Sequence, residues 1–273
     1  MNESLRYEKA DGVATATKTN AKFMQGMTRE VLVGLRRAIE DARDDRQIRV
    51  LVITAANDGF HDGGRFVDEL RPDTHAFEPL EYRELLQLGN AVIRGIETLE
   101  KPVIGVARGG ARGGGFEMLH ACDFVIAGED ATFSQPEIVY GLMTGWGGSQ
   151  RVPRMVHWRR AKELLLLGHE ISGREAAAMG LITLAVPRER IDGEVASLIA
   201  RLKKTSAISQ ALTKQAMNKV WDTNLMTGLD YETEAHAALS HYGEFPSMMK
   251  AWSAGEEPGY ILPERVTAGP EWK

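Results

Sequence analysis

Residues 101–123 read KPVIGVARGGARGGGFEMLHACD. Pro102 marks the start of a strand over 103–107, a glycine-rich turn follows, and a helix begins near Gly114. Eleven of the 28 glycines in the chain lie between Gly105 and Gly148, so the strictest backbone demands are concentrated there. Glycine allows a ligand close to the main chain, and the exposed amides at a helix start attract negative charge. The turn is therefore an oxyanion candidate, although a phosphate cradle or a plain packing contact would use the same feature. It lacks the Lys-Ser/Thr pair of a P-loop, and a dinucleotide fingerprint would require an acidic partner at a later strand end.

On the N-terminal side of this stretch, strands and helices alternate. Residues 13–17 read as a strand. From Thr28 the apolar positions Val31, Leu35, Ile39 and Ala42 recur at helical spacing, and 48–54 (IRVLVIT) is a β-branched run suited to a strand buried on both faces. A polar loop with Gly63 and Gly64 comes next, then a helix over 81–99 with Leu85, Leu88, Val92, Ile96 and Leu99 on one face. On the C-terminal side, 123–127 and 131–134 read as short strands joined by a tight GED turn, and helices dominate after residue 150. Ser172 and Glu175 have capping-box spacing and Gly180 is a helix stop, which predicts a helix over 173–179. The helical series continues over 189–203, 206–221 and 226–242, and the tail from Ser253 reads as irregular. There is no internal repeat and no long linker. The reading is an α/β core over 1–195 and a helical region with a tail over 196–273.

Composition narrows the function classes. The 273 residues carry 43% hydrophobic content, enough for a sizeable core, and a formal net charge of -5 with both signs interleaved. No basic stripe suggests nucleic acid. The single cysteine, Cys122, excludes an internal disulfide framework and points to a reducing compartment, with cytoplasm as the default. The first residues, MNESLRYEKADG, carry no signal core, and no run approaches the roughly 18 apolar residues of a membrane span. The seven histidines show no HExxH spacing, so no metal is expected; His61, His120 and His157 read as structural or partner-facing, and Cys122 as a small core residue.

Two carboxylates sharpen the glycine signal. Glu117 lies just inside the helix that follows the turn, and Glu137 lies in ATFSQPEIVYGLMTGWGGSQR (131–151), after a short strand and beside a second glycine cluster. The run GGGFEM, the following ACD, QPEI and GWGGSQR, in this order and spacing, resemble the crotonase (enoyl-CoA hydratase/isomerase) superfamily. FHDGGRF (60–66) resembles that family's first oxyanion loop, and HEISGREAAAMGLITLAVP (169–187) its helix and strand after the core. The resemblance runs from about residue 5 to residue 260. It implies a crotonase-like ββα spiral core with a C-terminal helical trimerisation region.

The same resemblance implies an active site. The backbone N–H groups of Gly64 and Gly114 would form the oxyanion hole, and Glu117 and Glu137 would be the catalytic pair. Asp62, Arg65, Gly113, Gly145 and Trp146 would contact substrate; Gly145 stands at a position that in the family helps orient the reacting water, and Gln135 is a further candidate. Coenzyme A would enter as part of the substrate thioester and no separate cofactor would be needed. The assembly would be a homotrimer or a dimer of trimers, without nucleic-acid or membrane partners. Adding water across a C=C bond conjugated to a thioester removes one proton from water and delivers one to the α-carbon, and two carboxyl groups sharing a water can do both. The leading reading is therefore an enoyl-CoA hydratase. Double-bond isomerisation on the later glutamate, hydrolysis of a C–C bond in a β-dicarbonyl compound, and a non-catalytic scaffold remain as alternatives.

Several positions depart from the family pattern. Asp62 and Arg65 stand where a small residue and an aspartate are usual; Arg108, Gly110 and Arg112 replace an asparagine, a bulkier residue and an apolar one. A new ion pair between Asp62 and one of these arginines would rebuild the loop. Trp146 replaces a small residue, and either narrows the acyl pocket or packs into a subunit interface. Trp252 keeps the aromatic position near the C-terminus, but Gly255, Glu256 and Glu257 stand in place of a Lys-Arg pair that reaches CoA.

Overall fold

The computed structural model describes residues 4–19, 26–56, 78–241 and 244–256. Strands β1 (Leu5–Ala10) and β2 (Val13–Lys18) form an antiparallel hairpin closed by Asp11 and Gly12, both at positive φ (48° and 76°), as a two-residue turn matched to the strand twist requires. From β2 onward the sheet is parallel. It adds β3 (Val50–Ala55), β4 (Val103–Ala107), β6 (Phe124–Gly128) and β9 (Leu184–Val186), in the order β1-β2-β3-β4-β6-β9. A second sheet, β5-β7-β8, joins β5 (Gly110–Arg112) in parallel to β7 (Thr132–Ser134), and β7 in antiparallel to β8 (Ile171–Ser172). The expected strands around the GED turn are both present, and they belong to different sheets. This is the architecture of an α/β chain, in agreement with the fold class expected from sequence.

Alternation along the strands explains the two-sided burial. Leu51, Ile53, Val103, Ala107, Val125 and Ala127 face one core, while Val50, Val52, Ile104, Val106 and Ile126 face the other. The first core is covered by α1 (Arg29–Asp44) and α2 (Pro79–Thr98), which present Val31, Leu35 and Ile39 and then Leu85, Val92 and Ile96. Thr28 caps α1 by accepting the Val31 N–H. The second core is covered by α7 (Ile191–Lys203) through Ile191, Val195, Leu198, Ile199 and Leu202. This helix runs without a break from Ile191 to Lys203.

Two half-buried ammonium groups close helix ends. Lys101 Nζ donates to the carbonyls of Ala42, Arg43 and Asp45 at the end of α1. Lys214 on α8 (Ala207–Asn218) donates to Ile96 O (3.1 Å) near the end of α2 and pairs with Asp123 (2.6 Å), whose carboxylate also accepts the Val103 N–H (2.7 Å). Both use a cation where helix carbonyls carry partial negative charge. Among the described residues, no helix is long and apolar enough to cross a membrane.

Candidate active site

The site is built where β5 turns into the short helix α3 (Gly114–Leu119). Gly110 adopts φ +109°, and a Cβ there would fall 1.9 Å from Thr132 O, so the bulkier residue usual at this position has no room in this chain. Gly113 also has positive φ, at 50°, and its N–H donates to Ser134 O (3.0 Å), prolonging the β5–β7 pairing. That amide is thus committed to Ser134, and the contribution of Gly113 is the turn. Gly114 is the first helical residue, a position with no acceptor inside its own helix, and no backbone acceptor among the described residues takes its N–H. Gly64, expected as the second oxyanion donor, lies outside the described residues, as do Asp62, Arg65 and His61.

One turn into α3, the Glu117 side chain is buried, with 2% exposure. Its Oε1 accepts the N–H groups of Trp146 (2.8 Å) and Gly148 (2.7 Å) from the GWGG loop. Burial pushes its pKa up, and the backbone donors of Gly148, Trp146 and Gly145, with the Arg151 charge, act against that shift. The loop is shaped for this grip. A Cβ on Gly148 would meet Thr144 Cγ2 at 2.9 Å and Glu117 Oε1 at 3.2 Å, and Gly147 sits at φ +103° against Arg151. Gly145 O accepts from Asn90 Nδ2 (3.1 Å), which ties the loop to α2.

Glu137 lies in the 3-10 turn Pro136–Tyr140 that follows β7. Its Oε2 is buried without a hydrogen-bond partner among the described residues. Burial is the main force raising its pKa from the usual carboxylate value to about 7, and the charge of Glu117 adds to it. The two glutamates therefore sense one another across one shared region. Tyr82 on α2 senses both: burial raises its phenol first, then Glu137, then Glu117. Gln135 is also buried, and neither of its amide atoms finds a partner among the described residues.

The remaining candidates take structural places. His120 is buried against Phe116, with ring centroids 4.2 Å apart, and burial pushes it down to about 3, so it is neutral at working pH. His157 caps α5 (Trp158–Leu167) by accepting from Arg159 N. Cys122 is half-buried, and desolvation pushes its thiol up, away from reactivity. Arg108 pairs with Asp192 and Arg112 with Glu170. Trp146 is buried within this single chain, with 3% exposure, which removes it from the subunit-interface alternative. Trp252, on α10 (Glu244–Ser253), is exposed.

Sequence reading missed three contributors. Arg151 pairs through two N–H groups with Glu97 and donates a third to Trp146 O (2.8 Å), clamping the loop that holds Glu117. Tyr82 and Gly89 follow the i, i+7 face of α2 that meets the loop, a spacing visible in the sequence once the loop's position is known.

The model for the family described as enoyl-CoA hydratase/isomerase matches residues 8–255. A crotonyl-CoA hydratase from Syntrophomonas wolfei is 32% identical over 233 residues, covering 85% of this chain and 88% of that protein. A short-chain-enoyl-CoA hydratase from Clostridium acetobutylicum is 30% identical over 228 residues, 84% of this chain and 86% of that protein. Among solved structures, an enoyl-CoA hydratase from Polaromonas sp. JS666 superposes with a TM-score of 0.87 at 25% identity, covering 94% of this chain and 99% of that one.

Proposed function

The chain belongs to the enoyl-CoA hydratase/isomerase family, and from that premise we propose that it is an enoyl-CoA hydratase, adding water reversibly across the α,β double bond of an acyl-CoA thioester. The observation that carries this reading is the unequal glutamate pair. Glu117 is gripped by two backbone donors, while Glu137, with an unpartnered oxygen, is held at about 7.

Such a pair divides the proton work. Glu117 as the carboxylate orients a water and takes its proton as the oxygen attacks the β-carbon. Glu137 in its acid form delivers a proton to the α-carbon. Negative charge builds on the thioester oxygen between these events, and the Gly114 N–H, with Gly64 as the second donor, would stabilise it more in the transition state than in the ground state. One such donor is worth roughly 10² to 10³ in rate, and a positioned acid or base about 10² to 10⁴. In dehydration the roles reverse. A pKa near working pH suits a group that must both give and accept a proton.

The acyl-CoA thioester is the substrate, and coenzyme A arrives with it. A trimer, or a dimer of trimers, is supported by exposed apolar side chains on the C-terminal helices, among them Met217, Trp221, Leu225, Met226, Phe245 and Trp252. Cytoplasmic placement rests on the lone cysteine. The unpartnered Glu137 oxygen also favours a second reading, in which this group alone shuttles a proton between two carbons and the product is an isomer. Absorbance of the conjugated thioester separates the two: with crotonyl-CoA, hydration removes it. Unchanged absorbance with bound crotonyl-CoA would reject the hydratase reading.

A further inference from the structure

Helices α2 and α3 approach each other across one side chain. The Trp146 indole lies between two glycines: a Cβ on Gly89 would come within 2.1 Å of its Cε2, and a Cβ on Gly114 within 2.3 Å of its Cζ3. Neither helix can carry a side chain at these positions while the ring stays in place. The indole fills the volume that two absent side chains leave, and it is 3% exposed.

Its position relative to the chemistry gives this packing a second meaning. The ring touches the residue that offers the oxyanion N–H, and the backbone N–H of Trp146 holds Glu117 Oε1 at 2.8 Å. Leu86 continues the wall, since a Cβ on Gly145 would meet its Cδ2 at 2.8 Å. With the thioester oxygen on Gly114 and Glu117 acting at the β-carbon, as the hydratase reading has it, the indole is a neighbour of the acyl carbons: it packs on Gly114, and the backbone N–H of its residue holds Glu117. A close-packed wall of this kind does not yield to extra methylenes without displacing its neighbours.

We infer that Trp146 sets the acyl-chain length: the indole, seated between Gly89 and Gly114, closes the acyl pocket beyond the reacting carbons and restricts the enzyme to short, straight-chain enoyl thioesters. This deepens the hydratase reading and rests on it. A ring that served only as a spacer between the helices would leave chain-length preference untouched, and that difference is measurable.

The test compares kcat/KM for crotonyl-, hexenoyl- and decenoyl-CoA in the full-length protein and in Trp146→Phe, Trp146→Ala and Trp146→Ala/Gly89→Leu. A single methylene in an apolar pocket changes selectivity by about 10-fold or more. The wild type is expected to prefer crotonyl- over decenoyl-CoA. The decenoyl-to-crotonyl ratio is expected to rise by at least about 10-fold in Trp146→Ala, to lie between in Trp146→Phe, and to fall back when Gly89→Leu refills the space. An unchanged ratio in any folded variant lacking the indole would overturn the inference, as would a wild type that turns over decenoyl-CoA as well as crotonyl-CoA. If Trp146→Ala does not fold, Trp146→Phe and Trp146→Leu provide the same comparison. If the wild type hydrates none of the three, the hydratase reading fails by itself, and calorimetry with butyryl- and decanoyl-CoA decides the pocket. Tighter butyryl-CoA binding that shifts toward decanoyl-CoA in the variants supports the indole as the limit, and equal preference throughout refutes it.

Discussion

Arg151 holds Glu97 in a two-point ion pair, Nε to Oε1 at 2.6 Å and Nη2 to Oε2 at 2.7 Å. The remaining guanidinium nitrogen donates to Trp146 O, so α2, the GWGG loop and α4 (Gly148–Met155) are fixed to one another at the point where two loop amides hold Glu117. The planar fork makes three directed bonds that an ammonium cannot reproduce.

Loosening this clamp should therefore misplace Glu117 without unfolding the protein. Arg151→Met and Glu97→Gln are expected to lower kcat/KM on crotonyl-CoA by about 10- to 100-fold, the scale of a small displacement of a catalytic group. Arg151→Lys should not restore it. The pair is partly exposed, so thermal melts should show a loss of only about 1 kcal/mol. Full activity in Arg151→Met would show that the loop keeps its shape without the clamp.

Glu137 should make stability fall as pH rises. Its folded pKa of about 7 exceeds its ordinary value of 4.5, so the folded state holds a proton that the unfolded state has released between these pH values. The stabilising contribution is complete below the unfolded value and is lost as pH climbs through 7, up to about 3 kcal/mol before allowing for its partial exposure. Glu137→Gln should thus melt at nearly the wild-type temperature at pH 5 and above it at pH 8, while losing hydration activity. Parallel melting curves at both pH values would mean that Glu137 ionises freely in the fold.

The Lys214–Asp123 pair should matter to the fold and little to the chemistry. Asp123 precedes β6 and bonds to the first residue of β4, at the amino ends of the strands, whereas the glycine turn follows the carboxyl end of β4. Lys214→Met leaves the partly exposed Asp123 carboxylate without its cation and Ile96 O without its donor, at a cost of about 1 to 2 kcal/mol in urea unfolding. The double variant with Asp123→Asn should recover part of it. Activity of the folded fraction should stay close to wild type; a large kcat loss would instead tie this pair to the site.

The long elements were legible because burial leaves a periodic trace. The α1 stripe Val31, Leu35, Ile39 and Ala42 and the β-branched run of β3 are written in single, unbroken segments. The capping box at Ser172 and Glu175 is likewise local, and it forms. Strands β5, β7 and β8 have only two or three residues each and carry no readable period, so the second sheet was invisible as a sheet. The glycine turn pointed to Gly114 and Glu117 because its backbone demands lie close together in the chain. Glu97, Gly89 and Tyr82 act across tens of residues, and nothing in their own neighbourhoods marks them; Arg151 ends the GWGGSQR run, but its partner Glu97 lies 54 residues away on α2. A glycine inside a helix, such as Gly89, reads as a weak position until the indole that needs its space is seen.

Glu117 and Glu137 are predicted to act as one unit upon a shared water. Crotonyl-CoA hydration rates of Glu117→Gln, Glu137→Gln and the double variant test this most directly. Glutamine keeps the oxygen that the Trp146 and Gly148 amides require, so the folds should persist. Each single substitution is predicted to lower kcat by about 10² to 10⁴, and the double variant to fall little further, because groups that work together are lost together. A variant that keeps the wild-type rate, or a double variant whose loss is the full product of the two singles, would contradict it.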